Sequence, residues 1–322
     1  MKKIFVFIIA ALMLVSLAAC GSSGSSKDIP VIGISQYGEH PSLDNCREGF
    51  LLGLEEAGLK EGVDFTYDYQ NAGFDDNIAI QIGQNFSANN VDLMVGIATP
   101  SAIACYAAAE DKDIPVIFTA VTDPVAANLD SGNVTGTSDK LAVEGQLELI
   151  RALQPEAKTI GILYTTSEPN SVSAVAEYQE KAASFGFTIE AVGVSAQSEV
   201  TQAADTLLAR GVDCFTNLTD NNVVGVLPAI LEKTNEKHVP IYGSEIEQVK
   251  KGCVASVGID YYELGRQTGA MAAKVLKGEA TCAEMPYETI SEYGVYVNYA
   301  ALEEMGITLP EDYAARAIDA LA

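Results

Sequence analysis

The chain has 322 residues, a formal net charge of −25 and a sequence isoelectric point near 4.3. A surface this acidic repels nucleic acid and anionic lipid headgroups, which argues against a nucleic-acid-binding role. With 48% hydrophobic residues and no low-complexity stretch after residue 26, the remainder is expected to be globular and long enough for two separate cores.

The N-terminus opens on a basic Met1-Lys2-Lys3, followed by the apolar run IFVFIIAALMLVSLAA (4–19), which ends in small residues. This is the layout of a secretory signal peptide and is short for a membrane span. Leu17-Ala18-Ala19-Cys20 resembles the lipobox of bacterial lipoproteins, and the polar GSSGSSKD that follows suits a flexible tether. The resemblance implies cleavage before Cys20, a lipid on that cysteine, and a mature domain (residues 20–27 as tether) held outside the cytoplasmic membrane. An ordinary signal peptide with a chance cysteine is the alternative.

From residue 30 strand and helix signals alternate. The pattern predicts strands at 30–37, 64–72, 91–98, 113–121 and, shorter, 134–139, with helices at 42–57, 75–90 and 99–110 between the first four. In the second of these helices Ile78, Ile82 and Phe86 fall on one face. After a helix at 141–153 a second series follows. It has strands at 158–166, 187–194, 212–220, 238–245 and 252–260, helices at 170–185, 198–210 and 221–236, and a long helix from Tyr261 stopped by Gly278.

Strands separated by helices of this length mean parallel βαβ units with helices on both sheet faces. The two series also echo each other: VDLMVGIATPSAIA…DIPVIFTAVTDP in the first matches VDCFTNLTDNNVVG…HVPIYGSEIEQ in the second. The fold class is therefore α/β, with two doubly wound, Rossmann-like parallel-sheet lobes facing each other.

Ligands of open parallel sheets bind outside the carboxyl ends of the strands. Those ends carry Gln36, Tyr37, Glu39, Thr99, Ser101, Thr122 and Asp123 in the first lobe. The second lobe offers Glu168, Asn170, Ser171, Thr219, Asp220, Asn221, Ser244, Glu245 and Asp260. Two such rims can enclose a polar molecule. Thr99, Asn170, Asp220 and Ser244 are equally good helix N-caps, and Asp123 before Pro124 also suits a plain turn. The Tyr261-Tyr262 pair is expected to pack at a lobe junction, while Tyr37 is placed to stack on a ligand ring.

Catalytic and metal signatures are thin. Neither GxxxxGK[ST], GxSxG, HExxH nor a CxxC occurs, and no metal site or cofactor is expected. If Cys20 is lipidated, Cys46, Cys105, Cys214, Cys253 and Cys282 remain and read as small buried hydrophobes. Of the two histidines, His238 starts a strand at the end away from the rim, and His40 in YGEHPSLD is the one general-base candidate near it.

GISQYGEHPSLD, ATPSA, FTAVTDP, EPNS, LTDN and GSEIEQVKKGCVASVGIDYYELGRQTG together resemble the ABC transporter substrate-binding proteins of the TrpX type. The resemblance covers essentially the whole mature chain. It implies the type I periplasmic-binding-protein fold, two α/β lobes joined by a three-strand hinge. Lobe 1 would hold residues 28–140 plus 261–290, and lobe 2 residues 141–260 plus 291–322. It also implies a binding protein rather than an enzyme, with a membrane permease and its ATPase subunit as partners and an aromatic amino acid, tryptophan or tyrosine, as solute.

On that reading a zwitterion is gripped between the rims. Thr99 and Ser101 take its carboxylate at a helix start, with Asn170-Ser171 opposite. Asp220, or else Asp123, pairs with the ammonium, and Tyr37 covers the ring. The same fold binding a nucleoside, a sugar or a peptide-like molecule is the first alternative. A lipoprotein hydrolase using His40 comes next. A receptor ectodomain is set last, because no second membrane span lies within the sequence.

Overall fold

A computed structural model describes residues 29–290 and 292–322. The segments expected to be a signal peptide and a tether, with Cys20 between them, lie outside the described residues. Strands β1 (Val31–Gln36), β2 (Thr66–Asn71), β3 (Leu93–Ile97), β4 (Val116–Thr119), β5 (Val134–Ser138) and β11 (Glu288–Thr289) form one sheet in the order β11-β5-β4-β3-β1-β2. Every pairing in it is parallel. Central β3 (LMVGI) is buried on both faces, as a strand covered by helices on each side must be.

A second parallel sheet has the order β7-β6-β8-β9, built from β6 (Thr159–Thr165), β7 (Thr188–Val194), β8 (Cys214–Thr216) and β9 (Ile241–Tyr242). Its winding is that of β2-β1-β3-β4. The segments that echo in sequence are thus the third and fourth strands of each lobe. Beside it lies a three-stranded sheet, β10 (Ala255–Gly258), β12 (Gly294–Val297) and β13 (Ala317–Asp319), with β10 and β12 antiparallel. Backbone bonds from Gly243 to Ala255 and from Val254 to Ile241 join the two sheets.

The apolar cores follow the same division. One contains side chains from Ile32 to Val134 together with Tyr261 to Cys282. Two others are built from residues between Leu141 and Ala255 and between Val295 and Ala320. The chain consequently passes between cores after β5, after β10, and between β11 and β12. The five cysteines at 46, 105, 214, 253 and 282 are all free thiols and buried.

Helix α1 (Pro41–Glu56) packs along α10 (Tyr261–Leu276), a helix more than 200 residues away in the chain. Glycines at 49 and 53 face glycines at 265 and 269. A Cβ at any of the four would stand 2.0–2.2 Å from a carbonyl oxygen of the partner helix. The close approach therefore depends on their lacking side chains. The other helices of the first lobe are α2 (Asp76–Ala88) and α3 (Thr99–Ala109). In α2 the buried face is Ala79, Ile82, Gly83 and Phe86, whereas Ile78 is 43% exposed, one position off the face that the periodicity predicts.

The second lobe carries α4 (Val143–Leu153), α5 (Pro169–Lys181), α6 (Val200–Arg210), α7 (Asn221–Gly225), α8 (Leu227–Glu236) and α9 (Ile246–Lys251), followed near the C-terminus by α11 (Tyr299–Glu304) and α12 (Glu311–Ala314). The single helix expected over 221–236 is two, broken at Val226. Pro228 lacks an N–H and its ring crowds the carbonyl four residues earlier, so it starts a new helix instead of continuing the old one.

Candidate functional site between the lobes

The carboxyl ends of β3 and β4 run into Ala98 and Ala120, two non-glycine residues with positive φ, 76° and 57°. Both line a cavity between the lobes. Such backbone costs about 1–3 kcal/mol per residue and is retained where neighbouring structure holds it. The remaining walls come from His40, Ser42, Asp139 and Tyr261 on one side, and Asn170, Thr219, Asn221, Glu245 and Gln248 on the other. The enclosed room is about 20 Å³, enough for a water or two. An amino-acid-sized solute needs the walls to part.

Hydrogen bonds close the cavity from one lobe to the other. The Thr122 and Thr219 hydroxyls lie 3.1 Å apart, Ser42 Oγ donates to Glu245 Oε1 at 3.1 Å, and Asn45 Nδ2 donates to Glu247 Oε1 at 3.1 Å. Ser173 Oγ donates to Asp123.

The polar strand ends fall into two groups. Asn170, Thr219, Asn221 and Glu245 stand in the cavity wall, with Thr122 and Asp123 at its closure. The others, Thr99 excepted, are engaged within one lobe. Gln36 donates to the Gly38 carbonyl and to Asp44 and accepts from Arg47. The Tyr37 hydroxyl donates to Asp76 at 2.8 Å, its ring edge-on to Phe74. Ser101 accepts from Ser35, while Thr99 is buried with its hydroxyl unpartnered. Ser171 donates to Asp220, Ser244 accepts from Gln248, and Asp260 caps α10 through the N–H groups of Tyr262 and Glu263.

Asp220 is the most heavily used of these. Its carboxylate accepts from the Thr165 N–H and hydroxyl, the Ser171 hydroxyl and the Val223 N–H, at 2.5–3.0 Å. Nearby Glu168 accepts from the backbone and side chain of Asn221 and from Asn170, and its Oε1 has no partner. Burial, then the charge of Asp220, pushes the Glu168 carboxyl well above its usual range. Burial raises Asp220 too, against four donors that favour its charged form.

Asp139 terminates the segment VTGTSD, and the strand-end rule applied to that segment finds it although it was not among the expected site residues. It is 1% exposed. One carboxylate oxygen accepts from the Tyr261 hydroxyl, and the other, Oδ1, has no partner of good hydrogen-bond geometry among the described residues, the Thr122 hydroxyl being its neighbour. Burial raises its pKa. Glu245 caps α9 through the N–H groups of Glu247 and Gln248 while accepting from Ser42, and burial pushes it up to about 7. Among the described residues neither ring nitrogen of His40 has a partner, and burial lowers its pKa to about 4. None of the lining residues is Lys or Arg, so the carboxylates of the wall meet no cation there.

Comparison with known proteins accounts for this architecture. The family model for ABC transporter substrate binding proteins matches residues 31–320. A Tyrosine-binding protein of Clostridioides difficile (strain R20291) is 40% identical over 322 residues, covering 94% of this chain and 92% of that one. The structure of an ABC domain in complex with L-Trp from Streptococcus pneumonia superposes with a TM-score of 0.85 at 37% identity, covering 90% and 99% of the two chains. A substrate binding protein with adhesive properties from Clostridium difficile, in its ligand-free, open structure, gives 0.67 at the same 37% identity, over 90% and 99%. At equal identity, the lobes thus sit closer to the arrangement of the ligand-bound relative. Two wound lobes, three crossings and a polar interlobe cavity are the type I periplasmic-binding-protein design, and the chain belongs to the ABC transporter substrate-binding proteins.

Proposed function

We propose that the chain captures an aromatic amino acid, tyrosine or tryptophan, between its lobes outside the cytoplasmic membrane and hands it to a permease driven by a cytoplasmic ATPase. The observation that carries this reading is Asp139: a buried carboxylate in the cavity wall with one oxygen unpartnered and no lysine or arginine lining the same cavity. A buried charge requires a partner, and an ammonium group supplies one. Asp220, with its acceptors filled inside lobe 2, is the poorer ammonium ligand. The carboxylate of the solute fits the start of α3, where Ala98 forms part of the wall and the buried Thr99 hydroxyl is unpartnered. The named ligands of the two relatives support the substrate class. The LAAC segment supports a lipid on Cys20 after cleavage of residues 1–19.

The chain contains no tryptophan, so bound L-tryptophan is the only indole emitter in the complex. Titration should give a saturable shift in its emission, reversed by L-tyrosine. A thermal-shift screen with amino acids, nucleosides and sugars accompanies it. Stabilisation by a nucleoside or sugar, with no response to either aromatic amino acid, would sink the reading.

A further inference from the structure

We infer that His40, held by Phe74, reads the polar edge of the solute's ring and so selects an aromatic side chain that can hydrogen-bond over a plain phenyl group. The inference rests on the aromatic amino-acid reading above and adds the residue that sets preference within that class.

His40 occupies the N-cap position of α1 but makes no capping hydrogen bond with its side chain. His40 lines the cavity beside Asn221, and among the described residues neither of its buried ring nitrogens has a partner of good hydrogen-bond geometry. Every other polar residue discussed in the wall has at least one hydrogen-bonding atom engaged within the protein. Burial keeps this ring neutral at physiological pH, and a neutral imidazole offers one donor and one acceptor. A phenol hydroxyl both donates and accepts and can satisfy either nitrogen. An indole N–H can satisfy the acceptor alone. A phenyl ring satisfies neither and leaves both nitrogens desolvated.

The imidazole is also held in place. Phe74 stacks on it, with the ring planes 7° from parallel and the centroids 6.2 Å apart. Phe74 has a left-handed backbone, φ 64°, an outlier for a bulky aromatic residue. Its ring fills the space that a side chain at Gly38 would take, since a Cβ there would lie 2.0 Å from the Phe74 ring. Tyr37 meets the same ring edge-on at 6.0 Å. Strained backbone that fixes one aromatic ring against another is the arrangement expected of a residue that positions a recognition group.

The test is calorimetry at pH 7.5 with L-tyrosine, L-tryptophan and L-phenylalanine on the wild-type protein and on His40→Phe and His40→Gln. The wild type should bind tyrosine at least ~10-fold tighter than phenylalanine, with the unpaired-polar penalty as the cause. His40→Phe should compress that ratio below about threefold while holding the affinity for phenylalanine. His40→Gln, which keeps a donor and an acceptor, should retain most of the preference. An equal weakening of all three ligands in His40→Phe would place His40 on the amino-acid backbone and overturn the inference. Absence of tyrosine-over-phenylalanine preference in the wild type overturns it whatever the variants do. Failure of all three amino acids to bind would bring down the functional reading itself, an outcome distinct from binding without discrimination.

Discussion

Replacing Asp139 by asparagine separates its binding role from its structural one. The substitution keeps the size of the side chain and leaves an oxygen able to accept from the Tyr261 hydroxyl, but removes the charge. At 1% exposure the carboxylate has almost no solvent to screen it, so its bond to an ammonium counts at nearly full strength. Removing one side of a charge-assisted hydrogen bond in such a setting costs about 2–3 kcal/mol. At 1.4 kcal/mol per factor of ten this is a roughly 30- to 150-fold loss of affinity for L-tryptophan or L-tyrosine. The ligand-free protein should respond the other way. A buried carboxylate whose pKa is raised by desolvation destabilises the fold at neutral pH, so the neutral Asp139→Asn side chain should leave the melting midpoint unchanged or higher. Calorimetry measures the first quantity and thermal denaturation the second. Affinity within threefold of wild type would refute the ammonium role, and a lowered midpoint would show that Asp139 acts through the fold.

Asp220→Asn should behave oppositely, lowering the ligand-free midpoint because its amide nitrogen can no longer accept two of the four intralobe hydrogen bonds, at a cost of roughly 2–4 kcal/mol; an unchanged midpoint would contradict the assignment. Glu245, raised from 4.5 to about 7, favours the folded state below pH 4.5 and loses that contribution as pH rises to 7, so the stability of wild type relative to Glu245→Gln should fall over this window. His40, lowered from 6.5 to about 4, has the reverse sign: its contribution is full above pH 6.5 and is lost as pH falls toward 4, and denaturant titrations of His40→Gln against wild type across that range read it directly. Gly265→Ala puts a Cβ 2.1 Å from the Cys46 carbonyl and should lower the midpoint by roughly 2–10 °C, while a Gly278→Ala control, with nothing near its Cβ, tests only the backbone cost of positive φ.

The winding of both sheets was legible because each βα unit carries its own local signal: an apolar strand, a polar end, a capped helix. What was illegible is non-local or short. The strand GVYV at Gly294–Val297 exists because it pairs antiparallel with Ala255–Gly258, some 40 residues earlier, and four residues carry no periodicity. α9 is six residues long and sits inside a segment that reads as a strand end and loop. The close α1–α10 contact uses glycines spaced by four on helices far apart in sequence, a pattern that looks like weak helix propensity until the partner helix is present. The Ile78 discrepancy has the same origin, since α2 buries its Gly83 edge against α3, where a Cβ would meet the Ala104 carbonyl at 2.7 Å.

The candidate site shows where strand-end reasoning stops being sufficient. It nominates residues by position and type, yet a polar side chain is free for a solute only if no partner within the protein takes it. Ser101 and Ser35, Ser171 and Asp220, and Thr165 and Asp220 are partners separated by 49–66 residues. Their use of one another's hydrogen bonds is invisible in the linear chain. Asp139 and Tyr261, 122 residues apart, are the instructive case. They stand at two of the three places where the chain passes between cores, and their mutual bond leaves one carboxylate oxygen over. A cation bound there touches the crossing segments themselves. The interlobe bonds at Thr122–Thr219, Ser42–Glu245, Asn45–Glu247 and Asp123–Ser173, each contributing about 0.5–1.5 kcal/mol net, amount to only a few kcal/mol in favour of the closed arrangement. A ligand shifts the lobes only by its differential affinity for that arrangement. A solute that bonds to both walls at once gains part of its contacts only when the rims meet, and those contacts are the ones that supply it.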